Sequence, residues 1–198
     1  GVPSRTNPHT PERNQELTAR IADFHAEALD RVDQLYFTRE TYDDFYYGKG
    51  STYPDVNGSV GILFEQASSR ALETETPNGV LTYATTVRNQ TATSLSTVEA
   101  ATELRTELIR YQRDFYAGSP EVARGSETKA WIVGLDAAPS RARELARVLR
   151  THRVRLYELA RGVEVDGQRF GAGEAYVVPV DQPQARLVRA FMERRTSF

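Results

Sequence analysis

The sequence predicts an α/β protein in two parts: a partial mixed-sheet domain over residues 1–120 and a small α/β unit over 128–198, with 121–127 as the linker. Three observations lead there. A long amphipathic stripe near the start is followed by short apolar runs bounded by turn residues, a mixture of periods that marks helices and strands together. From Ala130 onward the order is strand, helix, strand, which argues for an α/β unit with some parallel pairing. The charge also changes sign along the chain. Residues 128–198 carry 13 Lys and Arg against 8 Asp and Glu, a net of +5, whereas the first 127 carry 12 against 19, a net of −7.

Pro3, Asn7 and Pro8 make the opening segment a loop. Thr10 is the expected N-cap of the first helix, with Pro11 preset for the first helical position and Glu12 in the first turn. Leu17, Ile21, Phe24, Ala28, Leu29, Val32 and Leu35 form one apolar stripe, predicting a helix over residues 11–35. Residues 36–57 lack a helical period and hold the turn formers Gly48, Gly50, Pro54 and Asn57-Gly58. Val60-Gly61-Ile62-Leu63-Phe64-Glu65 reads as a buried strand, and Val80 to Thr85 as a second strand after the turn Pro77-Asn78-Gly79. A polar loop is expected through Thr93. Ser96-Thr97-Val98-Glu99 then fits a capping box, and Leu104, Leu108, Tyr111 and Phe115 carry that helix to Gly118-Ser119-Pro120.

In the second part, Ala130 to Leu135 is the first strand, and Ser140 caps a helix bearing Ala142, Leu145, Val148 and Leu149. Val154 to Leu159 returns as a strand. Val163 to Phe170 is a hairpin, because Asp166-Gly167 supports a two-residue turn. Ala175 to Val180 is the last strand and Pro183 to Arg194 the last helix. Gly171-Ala172-Gly173 is a tight turn, too short for a nucleotide-binding signature.

Composition narrows the classes. With 39% hydrophobic and 26% charged residues the chain reads as globular. No apolar run approaches the roughly 20 residues that span a bilayer. There is no cysteine, hence no disulfide and no thiolate metal site. The arginines of the basic half fall where a solvated helix face would put them, so nucleic acid is not an expected partner. The opening Gly1-Val2-Pro3-Ser4-Arg5 shows no leader, and it reads as the edge of an excised piece.

Glu65 is the first candidate for chemistry. A carboxylate ending an apolar strand sits at a sheet edge, where burial makes it basic enough to take a proton. The segment around it, Gly50-Ser51-Thr52-Tyr53-Pro54-Asp55-Val56-Asn57-Gly58-Ser59-Val60-Gly61-Ile62-Leu63-Phe64-Glu65-Gln66-Ala67, resembles the part of the zinc carboxypeptidases of the carboxypeptidase A type that leads into their catalytic glutamate. The resemblance covers about residues 1–116 and is most specific from Tyr46 to Arg70. Its other landmarks are Tyr46-Tyr47-Gly48-Lys49-Gly50-Ser51, Gly79-Val80-Leu81 and Asn7-Pro8-His9-Thr10-Pro11 before a long helix.

That resemblance implies a peptide substrate and a zinc ion that polarises the scissile carbonyl and a bound water, with Glu65 as general base and acid. It implies that Tyr46 or Tyr47 is the loop tyrosine that closes over substrate. Arg70, beyond the glutamate, would orient Glu65 or anchor its loop. The family's zinc ligands, a His-x-x-Glu pair and a third His, have no counterpart: the chain has only His9, His25 and His152, and Ala28 stands three residues after His25. The reading is therefore a fragment of a zinc carboxypeptidase, from a secreted or periplasmic parent, that keeps Glu65, binds no zinc by itself and is inactive alone. Residues 128–198 would be an accessory unit, and their strand–helix pattern resembles the start of a glutamine-amidotransferase-like fold. The alternative is a non-enzymatic binding or interaction protein on a retired peptidase scaffold. An unrelated α/β protein is a third. A half-sheet leaves apolar edges open, so self-association is expected.

Overall fold

The computed structural model describes residues 2–38, 41–67 and 69–194, and the chain is a mixed α and β protein. It divides into two compact units, one ending at Arg113 and the other beginning at Asp114. The boundary lies inside a helix rather than in residues 121–127, most of which are themselves helical.

In the first unit, β1 (Val2–Thr6) pairs in parallel with β2 (Thr41–Asp44), where a loop had been expected. α1 (Glu12–Arg31) follows Pro11, whose extended backbone occupies the cap position without a side-chain cap; Thr10 Oγ1 is buried and unbonded, so Thr10 is not the N-cap. α1 stops before 35 because Asp33 takes a left-handed backbone (φ 51°), and Leu35 is left 77% exposed.

Residues 60–67 form no strand among the described residues. Nor is the run buried throughout, because its side chains alternate: Val60 and Ile62 pack on Ile21, Ala100 and Leu104, while Leu63 and Glu65 are exposed. Alternation reports burial, whereas a strand also needs a neighbour to share its hydrogen bonds. β3 (Glu73–Thr76) and β4 (Gly79–Thr82) make an antiparallel hairpin around Pro77-Asn78, with Gly79 at φ 105°.

The second expected strand ends at Thr82, whose hydroxyl accepts the Thr85 N–H and starts α2 (Tyr83–Glu103). The polar loop and the capping box are thereby both corrected. The hydroxyls that made this stretch look loop-like bond back to carbonyls of the preceding turn: Thr91 to Val87, Ser94 to Gln90, Thr97 to Thr93 and Thr102 to Val98, each at 2.7–2.8 Å. Ser96 is buried in mid-helix. α3 (Arg105–Ala117) continues after the buried Leu104. α1 and α2 pack together around Ile21, Ala100 and Leu104, flanked by Phe24 and Leu108.

The second unit starts with the end of α3 and α4 (Ser119–Gly125), whose last carbonyls are gathered by Lys129 Nζ: Ala123, Arg124 and Ser126 at 2.7–3.2 Å. β5 (Ala130–Gly134), α5 (Pro139–Thr151), β6 (Tyr157–Glu158) and β9 (Ala175–Pro179) build a sheet in the order β5-β9-β6, with the hairpin β7 (Val163–Val165) and β8 (Gln168–Phe170) between β6 and β9. Both pairings in this sheet are antiparallel. β5 and β6 do run the same way, as strand–helix–strand order implies, but β9 inserts between them, so the expected parallel contact is not made. Ala138 rather than Ser140 precedes α5.

The strand expected over Val154–Leu159 shrinks to two residues for a visible reason. The buried amide of Gln182 takes the place of a neighbouring strand, accepting the Arg155 N–H (2.7 Å) and donating to the carbonyls of Arg155 (3.1 Å) and Pro179 (2.6 Å). The β7–β8 turn has Asp166 at φ 52° and Gly167 at φ 77°, the two positive angles of the expected Asp-Gly turn. α6 (Ala185–Met192) closes on α4 through Ala185, Ala123 and Val180. Among the described residues no helix is long and apolar enough to cross a membrane.

Candidate functional site

The first unit collects its polar residues in the segment from β2 to Gln66. Pro54 opens a one-turn 3-10 helix, Asp55–Asn57, which ends at Gly58 in the left-handed region (φ 75°). The chain then passes so close to Ser51 that a β-carbon at Gly61 would run into the Ser51 carbonyl. Gly58 and Gly61 thus fix the path into Val60–Glu65.

Glu65 stands at the outer side of that path. Its carboxylate is exposed and has no hydrogen bond or ion pair among the described residues, so the burial the sequence argument relied on is absent. On the inner side, Phe64 meets the His25 ring edge-on at 4.7 Å. His25 is buried on α1, with Nδ1 2.7 Å from Ser96 Oγ and Nε2 unbonded. Burial lowers its pKa and keeps the ring neutral. Arg70 is exposed and forms no ion pair with Glu65. Ser69 beside it is buried and bonds Thr86 of α2 at 2.7 Å, tying the segment down. Tyr46 is exposed and Tyr47 half-buried, their rings 5.5 Å apart, and burial raises the Tyr47 phenol. Both tyrosines lie on one loop, so the geometry leaves the choice between them open.

The most heavily buried polar cluster was not foreseen. Asp44 and Asp55 are 2% and 1% exposed, and their carboxyl groups hydrogen-bond each other. Thr52 Oγ1 donates to Asp44 Oδ1 (2.8 Å), and Gln15 also bonds Asp44. Asp55 Oδ1 receives the Gly61 N–H (2.8 Å) and Asn14 Nδ2 (3.1 Å). Asn14, fully buried on α1, also reaches the Ser59 carbonyl (2.7 Å) and the Tyr111 hydroxyl of α3 (3.3 Å). Burial raises both carboxyl pKa values, that of Asp55 to about 7, and the charge of Asp44 adds to the rise at Asp55. Tyr42 beside them is pushed up to about 12, by burial first and then by the two carboxylates. Sequence gave no sign of this, because aspartates in a Tyr- and Gly-rich stretch read as solvated turn residues.

The three histidines are scattered. His9 is buried between β1 and α1, His25 is turned to Ser96, and His152 caps α5 in the second unit. Among the described residues no group of three or more His, Asp or Glu is placed to hold a metal ion. Family models, curated proteins and solved structures yield no match to this chain.

Proposed function

We propose that these residues are part of a zinc-carboxypeptidase-type hydrolase acting on peptides, in which Glu65 takes a proton from water and returns it to the departing amine. The observation that supports this is the exposed Glu65 carboxylate, without a partner among the described residues, on a segment anchored from behind by Val60, Ile62 and Phe64. A base has to be held in place yet left free of counter-ions, and this arrangement does both. Tyr46 or Tyr47 covers the substrate from the neighbouring loop, and Arg70 steadies the far side of the Glu65 segment. Any zinc is held by residues outside these 198, and the chain alone is inactive.

The test uses the complete product of the encoding gene. It should release C-terminal residues from peptides, and Glu65→Gln should lower kcat about 10²–10⁴-fold with zinc content unchanged. Equal activity of the two proteins, or no carboxypeptidase activity in either, would remove the reading. For the 198 residues alone, dialysis followed by zinc titration should leave no saturable uptake.

A second reading, a binding protein on a retired peptidase scaffold, draws on α2. Tyr83, Val87, Leu95 and Val98 are all exposed on this helix. Loss of zinc together with intact partner binding in the complete gene product would favour it.

A further inference from the structure

We propose that Asp44 and Asp55 share one proton and act as a pH-dependent latch, holding the 45–61 loop closed while the proton is present and releasing it when the proton is lost. The inference stands whether or not Glu65 is a catalytic base. The pair is closed off from solvent, so it is not placed to meet a substrate and its effect is on the chain around it.

Neutral groups from several elements face the two carboxyls. From α1 come the neutral amides of Asn14 and Gln15, from the loop the Thr52 hydroxyl and the Gly61 N–H, and from β2 the Tyr42 phenol. From α3, the Tyr111 hydroxyl accepts from Asn14. Asn7 after β1 donates its backbone N–H to the Asp44 carbonyl, and its side chain accepts the N–H of His9. Two described cations are engaged next door at Asp43: Lys49 bonds the Asp43 carbonyl and lies 3.4 Å from the Asp43 carboxylate, and Arg5 lies 3.3 Å from the same carboxylate. Lys49 acts on Asp44 only at a distance, as the last of the influences on it. Two buried carboxyls in contact, with no direct counter-ion among the described residues, cannot both be charged; one proton between them is the low-energy state.

The groups that hold this pair also hold the loop. Asp55 begins the 3-10 turn and receives Gly61 N–H; Thr52 sits on Asp44; Asn14 joins Asp55 to Ser59. Repulsion between two carboxylates would therefore act on 52–61 first, and through Gly61 on the segment that ends at Glu65. Tyr42 stays protonated throughout, since its pKa is about 12. The Asp55 value of about 7 places the release near neutrality.

Amide hydrogen–deuterium exchange on the full chain, from about pH 5 to about pH 8.5 and corrected for the intrinsic rate of exchange, tests the latch. Protection of 45–61 should fall about tenfold or more across that range in the wild type, while peptides from 130–180 stay level. Asp55→Asn keeps an acceptor for Gly61 and Asn14 and lets an amide donate to Asp44, so its protection should be flat. Level protection in the wild type overturns the proposal. An equal fall in Asp55→Asn does so too. Should Asp55→Asn fail to fold, carboxyl ¹³C resonances of the wild type decide. An aspartate titrating near neutrality, with loop amides shifting at the same midpoint, upholds the latch. Aspartates that all titrate near 4 end it.

Discussion

Asp55 and His25 pull the stability of the first unit in opposite directions with pH. Asp55 has its pKa raised to about 7 in the folded state, so its stabilising contribution is complete below the unfolded value near 4 and is lost as pH rises through 7. His25 has its pKa lowered by burial, so its contribution is present above about 6.5 and is lost as pH falls. The Asp55 term covers the wider pH range, so the urea midpoint followed by far-UV circular dichroism should be higher near about pH 5 than near about pH 8. Asp55→Asn should flatten the alkaline side, raising stability near pH 8 by a few kcal/mol. Asp55→Ala should instead cost about 1–3 kcal/mol in mild acid, since it leaves the Gly61 N–H without its acceptor. A midpoint at the alkaline end equal to or above that in mild acid would mean the carboxyl pair does not hold a proton.

Ser96 is buried in the middle of α2. Sequence places it at a helix start, but in α2 it is the hydroxyl that satisfies His25 Nδ1. Ser96→Ala should cost about 1–2 kcal/mol, a larger loss than Ser94→Ala, whose hydroxyl is exposed and bonds only the preceding turn.

At the level of elements, side chains decide where strands and helices stop. Gln182 binds both backbone groups of Arg155 and so ends the need for a strand partner there. Gln182→Ala should destabilise the second unit by about 2–4 kcal/mol, with faster amide exchange at 154–156. An unchanged unfolding midpoint would show that the backbone re-pairs by itself. Gly61→Ala drives a methyl into the Ser51 carbonyl and should cost about 1–3 kcal/mol. The hydroxyl-rich run 85–102 explains the sequence error over α2. Thr and Ser read as turn formers, yet each can bond a carbonyl of its own helix once packing against α1 fixes the helix.

For the whole molecule, the division at Arg113 and Asp114 gives two cores that can be followed separately. Trp131 is the sole tryptophan and packs with Ala123, Val180 and Ala185 in the second unit. Its fluorescence should therefore report a urea transition that barely moves between about pH 5 and pH 8, while the first unit, free of tryptophan, shifts. A single transition with one pH dependence by every probe would show that the two unfold as one. Size-exclusion chromatography tests the expected self-association against the 22.2 kDa monomer.

The sequence alone settled the features that depend on near neighbours. The apolar stripe of α1, the strand Ala130–Gly134 and the Asp166-Gly167 hairpin all follow from local periodicity and turn chemistry. It also marked Glu65, Tyr46, Tyr47 and Arg70, of which the fold leaves Glu65, Tyr46 and Arg70 exposed and Tyr47 half-buried. Tertiary structure decided everything that depends on distant partners. It denied residues 60–67 a strand neighbour, put β9 between β5 and β6, and made a mid-helix residue of Ser96. It also buried Asp44 against Asp55. Burial and hydrogen-bond pairing are properties of what the rest of the chain brings alongside, and a carboxylate's neighbours eleven or forty residues away leave no period in the sequence to read.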